Sequence, residues 1–292
     1  MSMTANEAKQ RTLRVESRKT VFKRLLMNLL AIVVAFVFLF PIYWLLISSL
    51  KTDVEIFDKS ISWWPREATI MPWVTQLTDT DFGYSIRNSF IIAFSNMALA
   101  TVLGTAAAYG LARFRFPFKR TIILIFLVTQ MMPGSLLLTP LYLMFSEAKL
   151  LNSYAAPVLA IATGSIPFIV VTLRPYFLSL PKSLDEAARI DGCNAFTSFV
   201  RIMLPIARTG LITCTVFGFL HGWSDLVYSM TFNVKTNMRP LTANIYKFMD
   251  KYGTRWNQIM AYGMILVIPV LLIFIFLQKY IIGGLTSGAV KE

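Results

Sequence analysis

The chain has 292 residues, 56% of them hydrophobic and 15% charged, with a mean hydropathy of +0.60 and a formal net charge of +13. That balance excludes an ordinary soluble globule, because charge-free apolar runs recur that are longer than the roughly 20 residues a bilayer-crossing helix needs. One histidine and two cysteines, Cys193 and Cys214, exclude a histidine metal cluster and a disulfide framework.

Residues 1–24 hold seven Lys/Arg without apolar periodicity and are expected to form a cytoplasmic arm, mobile or lying on a surface. The first apolar run, Leu25–Leu50, is too long for a signal-peptide core and lacks a small-residue cleavage site, so it reads as an uncleaved membrane anchor. Residues 51–87 follow as the longest outer loop. Its Trp63, Trp64 and Trp73 suit the headgroup level, where indole rings concentrate; a sugar contact is the second reading. A membrane core over 88–278 then begins with the run Asn88–Ala112, whose Gly104, Ala106, Ala107, Ala108 and Gly110 suit close helix contact.

The third run, Thr121–Ser146, contains Gln130, Pro133, Gly134 and Pro140, and the fourth, Leu150–Leu173, contains Pro157, Gly164 and Pro167. Proline within a span frees carbonyls that a neighbour or a water-lined cavity must satisfy. Gln130 and Pro133 therefore either line a transport path or merely kink a packed bundle. The fifth run, Thr209–Met230, is interrupted by His221 and Asp225, four apart on one helical face. An ionised Asp in hydrocarbon costs about 2.5–3.5 kcal/mol, so Asp225 should face water or a partner. A structural or gating hydrogen bond across a subunit interface is favoured over contact with a substrate hydroxyl, and that over a proton relay. Trp256–Leu277 is the sixth run, followed by a tail over 279–292. The expected fold is all-α with six spanning helices. Eighteen Lys/Arg fall in the segments that face the cytoplasm if both termini lie there, against ten outside. The positive-inside rule favours that topology, and the charge is not a nucleic-acid footprint.

The loop 181–210 carries the most specific pattern. Ser183 with Glu186 reads as a capping box, Gly192 suits a left-handed helix terminus, and Asn194 can cap a second helix in which Phe196, Phe199, Val200 and Met203 recur at helical spacing before Pro205. The result is a glycine-hinged elbow with Ala187 and Ala188 at its tip.

Glu186-Ala187-Ala188-Arg189-Ile190-Asp191-Gly192 followed by Ile202-Met203-Leu204-Pro205 resembles the signature of permease subunits of ATP-binding-cassette importers. The segment Ala107–Phe114 and the C-terminal Gln278–Lys291 resemble the carbohydrate-uptake branch, its smaller maltose-type subunit in particular. Two departures are Arg208-Thr209-Gly210, where relatives often place proline, and Cys193 for a common alanine. The resemblance implies a type I importer permease fold and an inner-membrane location. It makes the elbow a coupling helix seated on an ATPase, with Glu186, Ala187, Ala188 and Gly192 in contact and Arg189 and Asp191 beside them. It also implies that Gly283, Gly284, Thr286 and Gly288 reach the ATPase interface, a frayed terminus being the bland alternative. Lys247, Asp250 and Tyr252 would face an extracytoplasmic solute-binding protein, or else anchor to headgroups. A second homologous permease and two ATPase subunits complete the implied assembly.

No Gly-x-x-x-x-Gly-Lys-Ser/Thr loop occurs, so ATP and Mg are expected on the partner ATPase, with no cofactor and no metal in this chain and no catalytic residue. The runner-up is an ion-gradient-driven secondary transporter of a small polar solute, and Asp225 as the one acid within a span argues against it. A membrane scaffold without transport would leave elbow and tail without purpose.

Overall fold

The computed structural model describes residues 5–250 and 253–286, with side chains from Thr20 to Met249 and from Gly253 to Tyr280. The chain divides into two compact units, residues 1–72 with 256–264, and residues 73–255 with 265–292.

In the first unit, α1 runs unbroken from Ala5 to Ser49. It therefore includes most of the segment expected to be an arm. Residues 5–24 contain no Gly or Pro, and more than half of them are Ala, Glu, Lys or Arg, so the helix nucleated in the apolar run extends backward at little cost. Apolar side chains along α1 face outward, with Phe36 and Phe38 more than 70% exposed, as suits lipid contact. The loop after it is tied down by polar bonds. The Lys51 ammonium donates to the Ser62 carbonyl, and the Ser62 hydroxyl donates to Glu55 at 2.5 Å. Trp63 and Trp64 are exposed.

The second unit is built around α2 (Thr80–Arg113), which packs chiefly against α5 (Ala155–Ser179) and α8 (Arg208–Trp223). Its start lies eight residues before the expected Asn88, because Asp79 caps it by accepting from the Asp81 N–H at 2.8 Å. Gly104 lies where a Cβ would fall 2.7 Å from Ile169, so the expected close contact forms on α5. Between α2 and α5 come α3 (Lys119–Met131), a 3₁₀ turn Gly134–Leu137 and α4 (Leu138–Glu147). α6 (Ser183–Ile190) and α7 (Ala195–Ser198) form the elbow, and α7 continues through a π-helical segment, Phe199–Met203. After α8 come α9 (Val227–Phe232) and the paired strands β1 (Met249–Asp250) and β2 (Gly253–Thr254). The last helix, α10 (Trp256–Thr286), runs through Gly283 and Gly284. It is held to α8 by the Trp223 indole N–H on the Leu266 carbonyl at 3.1 Å and by the Thr213 hydroxyl on the Tyr280 carbonyl at 3.0 Å.

Among the described residues, α1, α2, α5 and α10 are long and apolar enough to cross a membrane; counting two bent pairs as single spans raises the number to six. The expected third and fifth spans are therefore not straight rods. The third bends by 102° at Met132-Pro133, where proline removes the N–H that would continue the helix. α8 meets the elbow at 88° and ends at Trp223, within the expected fifth run.

Candidate functional site

The elbow forms from local chemistry. α6 ends in Gly192 at φ +81°, with the Gly192 N–H on the Arg189 carbonyl at 3.1 Å and the Cys193 N–H on the Ala188 carbonyl at 2.8 Å. These are the two bonds of a Schellman terminus. Asn194 then caps α7, its side chain accepting from the Thr197 N–H at 2.8 Å. The expected capping box is absent. Lys182 is already helical and its carbonyl accepts from the Asp185 and Glu186 N–H groups, so Ser183 lies inside the first turn and its hydroxyl makes no cap bond.

Glu186, Ala187, Arg189, Asp191 and Gly192 are exposed. Ala188 is not at the tip: it is 1% exposed and faces its own chain. Two residues absent from the expected contact stand out instead, Ile190 at 86% and Phe196 at 72% exposed. Sequence alone marks them as apolar and therefore as core; only the turn at Gly192 shows that they point away from it.

A cavity of about 480 Å³ lies among α3, α5, α8 and α9 and brings Gln130, His221 and Asp225 together. The Gln130 amide donates to the Gly164 carbonyl at 2.8 Å, one turn before Pro167. His221 Nδ1 is 3.1 Å from the Ser165 hydroxyl, which also accepts from the Asn96 amide at 3.1 Å. His221 and Asp225 do not pair, because the helix ends between them. The Asp225 carboxylate instead accepts from the Ser229 N–H at 2.8 Å and the Tyr228 N–H at 3.3 Å, capping α9, so its described bonds lie within its own chain. Pro133 sits at the bend, and the Tyr228 hydroxyl donates to the adjacent Gly134 carbonyl at 3.0 Å. The lining holds amide, hydroxyl, imidazole and one carboxylate, and neither Lys nor Arg.

On the opposite side from the elbow, the Lys247 ammonium is ion-paired with Asp79. It is thus engaged within the chain. Burial pushes the Asp79 carboxyl up, but the Lys247 ammonium and the Asp81 and Phe82 N–H groups outweigh it and hold it below the usual range. Asn88 donates to the Asn237 and Arg239 carbonyls at 2.8 and 3.1 Å, and Ser89 accepts from the Leu241 N–H at 2.8 Å. These bonds fasten the segment before the β1–β2 ribbon onto α2. Asp250 contributes its backbone to β1; Tyr252 and Gly288 lie outside the described residues, as do the side chains of Asp250 and Thr286. No group of three or more His, Cys, Asp or Glu capable of holding a metal occurs among the described residues.

Bent pairs of apolar helices around a polar cavity, with a short two-helix elbow beyond them, define a polytopic permease of the type I importer fold. The chain belongs to the family of binding-protein-dependent transport system inner membrane components, which matches residues 100–286. It is similar to the diacetylchitobiose uptake system permease protein DasC of Streptomyces coelicolor, with 30% identity over 94% of this chain and 99% of that one. It is also similar to the arabinooligosaccharides transport system permease protein AraQ of Halalkalibacterium halodurans, 29% identical over 88% of this chain and 93% of the other. Among solved structures, a bacterial ABC transporter that imports the acidic polysaccharide alginate shares the fold, with a TM-score of 0.76 at 20% identity over 90% of this chain and 98% of that one. The chain is thus a multi-pass inner-membrane permease subunit and not itself an enzyme.

Proposed function

We propose that the chain moves a carbohydrate through the inner membrane by alternating access, with both termini and the elbow on the cytoplasmic side. A second homologous permease completes the pathway, two ATPase subunits bind ATP and Mg, and an extracytoplasmic binding protein delivers the cargo. The elbow docks on one ATPase through Glu186, Ala187, Arg189, Asp191 and Gly192, joined by Ile190 and Phe196, while the end of α10 lies toward the ATPase dimer. The observation that carries this reading is the exposure of Ile190 and Phe196 on a rigidly terminated elbow. Two large apolar side chains on an otherwise polar knob stand ready to be buried by another protein.

Carbohydrate as cargo is supported by the relatives named for diacetylchitobiose and arabinooligosaccharides, and by the cavity's amide, hydroxyl, imidazole and single carboxylate groups, which suit sugar hydroxyls. The cysteines supply the topology test: Cys193 is partly exposed in the elbow and Cys214 is buried. An impermeant thiol reagent should label inside-out vesicles and leave right-side-out vesicles unlabelled. Labelling from the outside alone defeats the assignment. Ile190→Asp should release the ATPase on purification, and its retention would remove the elbow from the interface.

A further inference from the structure

We propose that Arg113 is a positioning residue for energy coupling, transmitting displacement of the elbow to α2 and α5 through an ion pair with Asp185; this rests on the reading that the elbow docks on an ATPase. Arg113 is the last residue of α2, and its side chain is 8% exposed. Its Nη2 donates to the Leu180 carbonyl at 3.1 Å, at the end of α5. Its Nε lies 3.2 Å from the Asp185 carboxylate in the first turn of α6, within ion-pair distance although that N–H is not aligned for a hydrogen bond. The same Nη2 lies 4.0 Å from the sulfur of Met203, at the end of the elbow's second limb. One guanidinium therefore touches the ends of two membrane helices and both limbs of the elbow.

Tyr109, one turn earlier on α2, braces the same junction. Its ring centroid is 4.8 Å from Phe199 on the second limb and 5.6 Å from Phe177 on α5, and its hydroxyl makes a long 3.5 Å contact with Asp185. A charge this enclosed cannot leave its partner without being stranded in a medium that solvates it poorly. When the elbow is pushed, breaking the pair is costlier than dragging α2 and α5 along. The planar fork of Arg reaches several acceptors at once, which a lysine ammonium at the end of a flexible stem does not.

The test uses the full assembly, reconstituted with its ATPase and binding protein. Arg113→Glu, Asp185→Arg, the two combined, and Arg113→Lys are compared for ATPase retained on the permease and for cargo taken up per ATP hydrolysed. The single reversals should retain the ATPase but lower uptake per ATP by about tenfold, and the combined reversal should recover most of it. Arg113→Lys should fall between the wild type and the reversals. Unchanged uptake per ATP in the single reversals overturns the proposal, as does a combined reversal no better than either single one. Single reversals that shed the ATPase overturn it too, since the pair would then build the docking surface rather than transmit through it. Should the reversals fail to accumulate, Arg113→Lys decides alone: wild-type uptake per ATP overturns the role. A wild-type permease that retains no ATPase defeats the docking reading instead, and so is told apart.

Discussion

Gly222 of α8 lies so close to Ala93 of α2 that a Cβ added to it would fall 2.7 Å from the Ala93 Cα. One turn earlier Gly218 meets the Met97 Cα at 3.3 Å in the same sense. In a bilayer, lipid is as apolar as the helix surface, so association depends on close packing, and these two glycines set the separation of the helices. Gly222→Val forces backbone apart from backbone and is expected to destabilise the fold by about 1–3 kcal/mol, the usual range for overpacking. Gly218→Ala should cost less. Denaturation of the purified permease in detergent checks both, and a Gly222→Val variant as stable as the wild type would show that the crossing can relax.

Asn96 ties the same crossing to α5. Fully buried, it donates to the Ser165 hydroxyl at 3.1 Å and to the Gly218 carbonyl at 2.7 Å. Replacement by Leu keeps the size but leaves both partners short of a donor. The expected loss is about 1 kcal/mol, within the range of interhelical hydrogen bonds in membranes. Because Ser165 also meets His221 in the cavity, uptake should fall by more than stability accounts for. Parallel stability and uptake measurements on Asn96→Leu decide; equal losses would mean that the bond serves packing alone.

Gly192 holds φ +81°, where a Cβ is strained whatever the surrounding space. Gly192→Ala should cost about 1–2 kcal/mol locally and weaken ATPase association, whereas Gly192→Asn, which tolerates the left-handed region better, should retain more of it. Pull-down of the ATPase with each variant tests the order. Ala binding better than Asn would show that the turn at the end of α6 does not set the elbow's shape.

Features of the elbow fixed by neighbours in sequence were readable beforehand. Gly192 and Asn194 do in the structure what their side chains dictate locally. The capping box failed for an equally local reason, the helical turn already begun at Pro181 and Lys182, which residue type does not announce. Features set by distant partners could not be read. The start of α2 depends on Asp79, whose ion-pair partner lies 168 residues away on the Lys247 segment. Arg113 reads simply as a loop cation until Asp185 and Leu180 are placed against it. Hydropathy likewise joined α8 to α9, because the break at Ser224 leaves the apolar run intact while ending the helix. That is why His221 and Asp225, neighbours on an ideal helix, meet the same cavity without meeting one another.

The pair Asp79–Lys247 carries a pH dependence whose sign follows from its geometry. The carboxyl is held below the aspartate value of 3.8, despite partial burial, by the ammonium and by backbone donors at the start of α2. A carboxyl with a lowered pKa in the folded state contributes stability that is complete above its unfolded value and disappears as pH falls through the lowered one. Fastening of the 235–248 segment to α2 should thus be constant across neutral pH and weaken only below about pH 4, on the acid side of the ordinary aspartate range. Asp79→Asn removes the charge at every pH. It should lower the protection of amides in residues 241–248 at neutral pH, measured against their intrinsic exchange rates, to the degree that the wild type reaches only in acid. Exchange at neutral pH indistinguishable from wild type would show that Asn88 and Ser89 hold the segment without the ion pair.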